Sequence, residues 1–122
     1  MVTRCPTGEH QAHDVYASDC PCRPLLSLMA NTWATLALDA MECGPIRFGE
    51  LQRRLQGVSP KVLTQTLRRL QDAGMVSRTI YPVVPLHVEY ELTEFGLSAA
   101  DPLRYLRNWV GENLDRLPAS GS

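Results

Sequence analysis

The stretch from residue 59 to 92 constrains the fold most, because its hydrophobic period changes there from helical to extended. Ser59 and Pro60 are favourable at the first two positions of a helix. Apolar side chains then recur at i, i+4 and i+7, at Leu63, Leu67 and Leu70, which is typical of a helix with one buried face. After Gly74, residues 75–81 resemble a strand and residues 86–92 alternate apolar with polar side chains. We therefore predict a helix followed directly by a β-hairpin.

Other helices are predicted on both sides of this stretch. The first begins after Pro24, the second is capped by Asn31 or Thr32, and the third runs from about residue 47 to 55. Beyond the hairpin, Thr93 can cap a short helix, and an amphipathic helix follows it. This order predicts a mainly α fold with a small β-hairpin wing, the winged helix-turn-helix. We assign this domain to residues 20–117, a flexible N-terminal arm to residues 1–19 and a disordered tail to residues 118–122.

The size and composition of the chain are those of one globular domain. It has 122 residues, of which 44% are hydrophobic and 20% charged. No apolar run reaches the roughly 20 residues that cross a bilayer, and the N-terminus lacks the apolar region of a secretory signal. We expect a cytoplasmic protein without a membrane contact. We find no catalytic triad, no phosphate-binding glycine loop and no paired carboxylates, so we expect neither an enzyme nor a cofactor.

Basic residues concentrate in the middle of the chain, although the formal net charge is −1. Residues 47–78 hold seven basic and two acidic side chains, whereas the remainder holds five basic and eleven acidic ones. Such a basic segment is typical of phosphate contacts, but a solvated helix face has the same composition. The charge pattern alone leaves both interpretations open.

The outward face of the helix after Ser59 carries side chains that can recognise bases. Arg68 can bond to guanine, Gln65 to adenine, and Thr64 to a base edge or a thymine methyl group. Ser59 and Lys61 lie at the helix N-terminus, where phosphate binds favourably. The remaining candidates for DNA contacts are basic side chains on and around the hairpin and the helix, namely Arg47, Arg69, Arg78 and His87. The predicted partner is double-stranded DNA.

The ordered motifs resemble the HxlR-type branch of the MarR-like winged-helix regulators over about residues 20–112. They are Cys20-Pro21, Trp33, Arg47-Phe48-x-Glu50-Leu51, Val58-Ser59-x-Lys61-x-Leu63-Thr64, Leu67-x-x-Leu70, Gly74-Met75-Val76-x-Arg78, Pro85, Tyr90-x-Leu92-Thr93-x-x-Gly96 and Trp109. The resemblance implies a homodimeric transcription regulator, here expected to be a repressor, that binds an inverted repeat. It also implies dimer contacts through the N- and C-terminal helices and major-groove binding by the helix at residues 59–73.

Cys20 matches the position of a cysteine that senses electrophiles or oxidants in many such regulators. A thiol just before a helix favours the thiolate, and an exposed thiolate reacts readily. Cys22, Cys43 or a cysteine of the other subunit could resolve an oxidised Cys20, whereas a disulfide between Cys20 and Cys22 is sterically poor because the loop is short. The alternative for Cys20 is a packing residue at the dimer interface. Cys43, at an apolar helix end, is predicted to be an inert core residue.

Two other regulatory signals and one other function remain as alternatives. A metal site could use soft ligands near the N-terminus, which are Cys5, His10, His13, Cys20 and Cys22, although their spacing matches no zinc pattern. A small apolar effector could bind among aromatic side chains, which are Trp33, Phe48, Tyr81, Tyr90, Tyr105 and Trp109. These aromatic residues are more often simply core, and Trp109 fits a dimer core. The third alternative is a winged-helix module that binds another protein.

Overall fold

The structure, a computed structural model, describes residues 16–118. This part of the chain contains six α-helices, three strands and a final 3₁₀ turn. In chain order they are α1 (Cys22–Met29), α2 (Thr32–Ala40), β1 (Ile46–Arg47), α3 (Phe48–Arg54), α4 (Pro60–Asp72), β2 (Val76–Tyr81), β3 (His87–Leu92), α5 (Glu94–Ser98), α6 (Ala100–Glu112) and the 3₁₀ turn Leu114–Arg116. The predicted mainly α fold with a β-hairpin wing is confirmed.

The helices begin at the capping residues that the sequence offers. The Ser59 hydroxyl accepts a hydrogen bond from the Val62 N–H at 3.1 Å and so caps α4. The Asn31 side chain accepts from the Ala34 N–H at 2.9 Å and caps α2. After α4, Gly74 adopts φ +82°, a left-handed conformation that glycine allows, and this turn leads into β2.

The first helix begins earlier than predicted. We placed its start after Pro24, but α1 begins at Cys22 with Pro21 as its N-cap residue. Pro24 is therefore the third helical residue. Its missing N–H costs nothing there, because the first turn of a helix leaves those donors without an intrahelical partner. The proline belongs to the first turn of this helix and does not mark its boundary.

The sheet has one strand more than the predicted hairpin. Strand β3 lies in the centre and pairs antiparallel with β2 on one side and with β1 on the other. The prediction of a helix from Arg47 was wrong at that residue, because Arg47 lies in β1 opposite Glu89. A two-residue strand is too short to show alternation, so only its pairing with β3 reveals it.

The core lies where α2, α3 and α4 meet the base of the sheet. Leu63, Leu67 and Leu70 of α4 are at most 1% exposed, as predicted, and they pack with Leu51 of α3. Each such leucine contributes about 1.5–3 kcal/mol of transfer free energy when it is fully buried. Cys43 was predicted to be a core residue and is exposed instead, because it lies in the turn after α2. The core holds the outward face of α4 in a defined orientation.

Most residues before α1 are not among those that the structure describes. Residues 1–15 and 119–122 lie outside the described residues, and with them Cys5, His10 and His13 of the candidate metal site. Residues 16–20 form turns before α1, where the Cys20 N–H donates to the Ala17 carbonyl oxygen at 3.1 Å. Within residues 16–118, every helix is too short or too polar to cross a bilayer.

Candidate nucleic-acid interface

The outward face of α4 is the centre of the candidate interface. Lys61, Thr64, Gln65 and Arg68 are all exposed, on the side of the helix opposite the buried leucines. Ser59 uses its hydroxyl oxygen to accept the Val62 N–H, which leaves the hydroxyl hydrogen available to a phosphate oxygen. The four helical residues therefore form one continuous, accessible face, and Ser59 lies exposed at the N-terminus of the helix.

The wing contributes a second element to the same surface. A depression of about 410 Å³ is lined by Thr64, Gln71, Arg68 and Asp72 of α4 together with Arg78 of β2 and Tyr90 of β3. Arg78 lies opposite Tyr90 in the strand register, so β3 positions the wing arginine beside the helix. The helix and the wing thus present Arg68 and Arg78 to the same groove.

Gln71 and Asp72 were missed by the sequence analysis. They follow Arg68 by three and four residues, so they share its helix face. Their place on the face of Arg68 could have been predicted from this spacing. Their proximity to Arg78 could not, because it depends on how β2 packs beside the end of the helix. An amide and a carboxylate beside two guanidinium groups can orient those groups, and Asp72 opposes any phosphate that approaches it.

The remaining predicted DNA contacts lie apart from this depression. Arg69 lines a different depression, of about 440 Å³, between α4, α1 and Phe95 of α5. The ring of His87 stacks on Tyr81 with 4.6 Å between ring centroids, and its Nε2 lies 3.6 Å from Glu89 Oε2. Arg47 is exposed in β1 on the far edge of the sheet. Their contacts with DNA stay predictions.

Cys20 lies just before α1, as predicted, and its side chain is buried. Its sulfur accepts a hydrogen bond from the Cys22 N–H at 3.4 Å, just before α1. The Cys20 side chain is only 6% exposed in the single subunit, which is less than a readily reactive thiolate requires. The hydrophobic pattern of the sequence around Cys20 gives no sign of this burial. Cys22 is half-buried, and the three cysteines that the structure describes are free thiols.

The outer face of α6 is apolar and exposed. Tyr105, Leu106, Trp109 and Val110 are between 45% and 76% exposed, and Leu114 and Leu117 continue the apolar face beyond the helix. Single subunits rarely leave so many large apolar side chains together in water unless another surface covers them. This face is where the sequence analysis predicted a dimer contact.

No metal site is apparent in the described part of the chain. Among residues 16–118, no three His, Cys, Asp or Glu side chains lie close enough together to hold an ion. The candidate set near the N-terminus includes residues outside that range, so it stays a hypothesis.

Comparison with known proteins agrees with this architecture. Residues 28–118 match the model of the HxlR-like helix-turn-helix family. The chain is 39% identical over 106 residues to the HTH-type transcriptional regulator YtfH of Escherichia coli (strain K12), covering 87% of this chain and 84% of that one.

Two solved structures extend the comparison. YtfH from Salmonella typhimurium superimposes with a TM-score of 0.80 at 39% identity, covering 85% of this chain and 93% of that chain. The oxidized form of the redox regulator HypR superimposes with a TM-score of 0.71 at 33% identity, covering 77% and 97% of the two chains. The chain belongs to the HxlR-like helix-turn-helix family, and it is a DNA-binding transcription regulator and not an enzyme.

Proposed function

We propose that the protein is a homodimeric repressor that binds an inverted repeat sequence-specifically, with α4 in the major groove. The observation that carries this proposal is the shared depression in which Thr64 and Arg68 of α4 meet Arg78 of β2. An arginine and a small hydroxyl side chain on one exposed helix face can read base edges, while an arginine on the neighbouring strand can contact the backbone.

The dimer contact is assigned to the outer face of α6. Trp109 and Leu106 lie near the middle of that face, and both are at least 50% exposed in the single subunit. Burying such side chains against a second copy removes apolar area from water, the main driving force of association. A two-fold axis at this face would place two copies of α4 in successive major grooves, about 34 Å apart.

We propose further that Cys20 senses electrophiles. Addition to a quinone would form a bond between the sulfur and a ring carbon, while the thiol proton passes to a quinone oxygen and leaves a hydroquinone. The N–H of Cys22 donates a hydrogen bond to this sulfur at 3.4 Å. Similarity to HypR, named as a redox regulator, supports a thiol signal. Because Cys20 is buried in the single subunit, the reaction requires the residues that cover its sulfur to move first.

A small apolar ligand is the second candidate for the signal. The depression between α1 and α4 favours it, since Pro21, Pro24, Leu25 and Phe95 provide apolar walls beside Arg69. A ligand held there would contact both the segment that follows Cys20 and the C-terminal half of α4.

The test is a fluorescence-anisotropy titration against the DNA directly upstream of the protein's own coding region. The wild type and Cys20→Ser are compared, reduced and after quinone treatment, with Cys43→Ser as a matched control because Cys43 is exposed. We expect tight, salt-dependent binding that quinone weakens in wild type and Cys43→Ser but not in Cys20→Ser.

Each other outcome removes part of the proposal. Binding that quinone leaves unchanged would refute the Cys20 signal and favour the apolar ligand. Binding that is equally tight on unrelated duplexes would refute sequence-specific recognition. Absence of DNA binding in every state would refute the proposed repressor and favour a module that binds protein.

A further inference from the structure

Helix α6 has two opposite faces with different chemistry. At about 100° per residue, Arg107 falls about 40° and Arg104 about 100° from Leu103, Leu106 and Val110 lie on the other flank of Leu103, and Tyr105 and Trp109 fall on the opposite side of the helix. Leu103 is the one buried residue of this helix, and it belongs to the core. The outer face therefore serves the proposed dimer, and the inner face attaches the helix to the rest of its own subunit.

Two ion pairs attach α6 to Asp39 of α2 and to Glu42 in the turn that follows α2. Arg107 Nη2 lies 2.7 Å from Asp39 Oδ1, and Arg104 Nη2 lies 2.5 Å from Glu42 Oε2. Arg104 is also held by Asp101 of its own helix, at 2.6 Å. Hydrogen bonds with Asp101 and Glu42 raise the pKa of Arg104, so its guanidinium group stays charged. Each of the two α2-side acids thus meets one arginine of α6.

Helix α2 connects this attachment to the candidate DNA-binding helix. It packs on α4 on one side and on α6 on the other. Helix α6 continues from α5 through Ala99, and Leu103 is its one buried side chain. The two ion pairs, about one turn apart on α6, add contacts that restrict how the helix can tilt about Leu103.

We propose that the ion pairs Arg107–Asp39 and Arg104–Glu42 position α6 relative to α4 and thereby set the half-site spacing that the dimer accepts. This inference rests on the proposed function as a dimer on an inverted repeat. In this proposal the four side chains are positioning residues, because they act through the orientation of α6 and not through contacts with DNA. A swivel of about 10° at α6 moves each copy of α4, about 17 Å from the two-fold axis, by about 3 Å. That displacement is about the rise of one base pair, so a loosely held α6 would tolerate several spacings.

The test varies the spacing and the ion pairs together. A duplex is first selected with the wild type from a randomised pool, and its centre is then lengthened or shortened by one and two base pairs. The variant is Asp39→Asn with Glu42→Gln, because both changes lie on the α2 side and leave α6 intact. The matched control is Glu94→Gln with Glu112→Gln, two exposed acids that form no ion pair with any side chain in residues 16–118. The control removes the same charge, so it corrects for a general change in attraction to DNA.

We expect wild type and control to lose at least tenfold in affinity when the spacing changes by two base pairs. The variant should lose less than threefold over the same series, while sedimentation velocity shows an unchanged dimer. A protein in which one pair is reversed by Asp39→Arg and Arg107→Asp should keep the sharp dependence of affinity on half-site spacing that the wild type shows.

Results that contradict the role of the ion pairs can be distinguished from results that contradict the proposed repressor function. A variant with the spacing profile of the wild type, or one that no longer folds or dimerises, overturns the positioning role while the repressor proposal stands. A wild type that is monomeric, or that selects no specific duplex, overturns the repressor proposal and this inference with it.

Discussion

Replacing Gly96 with alanine should destabilise the protein markedly, although the residue lies in a helix. Gly96 in α5 packs against the chain just after α4, and an added Cβ would overlap the carbonyl oxygen of Met75. The same Cβ would lie 3.0 Å from the Met75 carbonyl carbon and 3.3 Å from Leu92 Cδ2. The Met75 oxygen cannot move freely, because it accepts the Thr93 N–H at 3.0 Å. The restriction at Gly96 is therefore one of space and not of backbone conformation.

The magnitude follows from three contributions. Displacing packed backbone costs about 2 kcal/mol, and losing the hydrogen bond from Thr93 costs about 1 kcal/mol. The better helix propensity of alanine returns about 1 kcal/mol. The free energy of unfolding should therefore fall by about 2 kcal/mol. With a urea m value of about 2 kcal/mol per M, the unfolding midpoint should fall by about 1 M.

Urea titrations followed by tryptophan fluorescence at fixed protein concentration measure this change. The matched control is Gly111→Ala in α6, where an added Cβ has no described atom within 4 Å. That substitution should leave the midpoint unchanged or raise it by up to about 0.5 M, because glycine disfavours helix by up to about 1 kcal/mol. A midpoint for Gly96→Ala equal to or above that of the wild type would refute the close approach of α5 to Met75.

Three further substitutions test the site, the interface and the cap. Arg68→Ala should weaken binding to the selected duplex by about 1–3 kcal/mol and relax base choice at one position, whereas an equal loss on every sequence would make Arg68 a backbone contact. Trp109→Glu should shift the protein to monomer in sedimentation velocity, because it puts a charge on the exposed apolar face of α6; an intact dimer would place the interface elsewhere. Ser59→Ala removes the acceptor of the Val62 N–H and should cost about 1 kcal/mol, or about 4 °C in Tm, and an unchanged Tm would show that the cap contributes nothing.

The elements that local chemistry dictates were predictable from the sequence. Helix α4 has its cap at Ser59, its leucine stripe and its terminating Gly74 all within 16 residues, so its existence and its outward face could be stated in advance. The alternation before Thr93 likewise predicted β3. In both cases the information is local: a capping side chain, a hydrophobic period and a glycine turn each act within a few residues.

Features that depend on which helices and strands pack together were not predictable from local sequence patterns. Arg68 and Arg69 are adjacent in sequence, yet one faces the wing and the other faces α1, because successive helical residues point about 100° apart. The pairing of β1 with β3 likewise joins residues that are far apart along the chain.

The ion pairs of α6 show most clearly which features cannot be predicted from the sequence. Arg107 and Asp39 are 68 positions apart, and each alone reads as an ordinary charged residue. The sequence by itself determined which segments become helix or strand and which face of α4 is polar. Only the tertiary structure decided which charges pair, which thiol is buried and which apolar face is left for a partner, because burial and pairing depend on the surface that packs against each element.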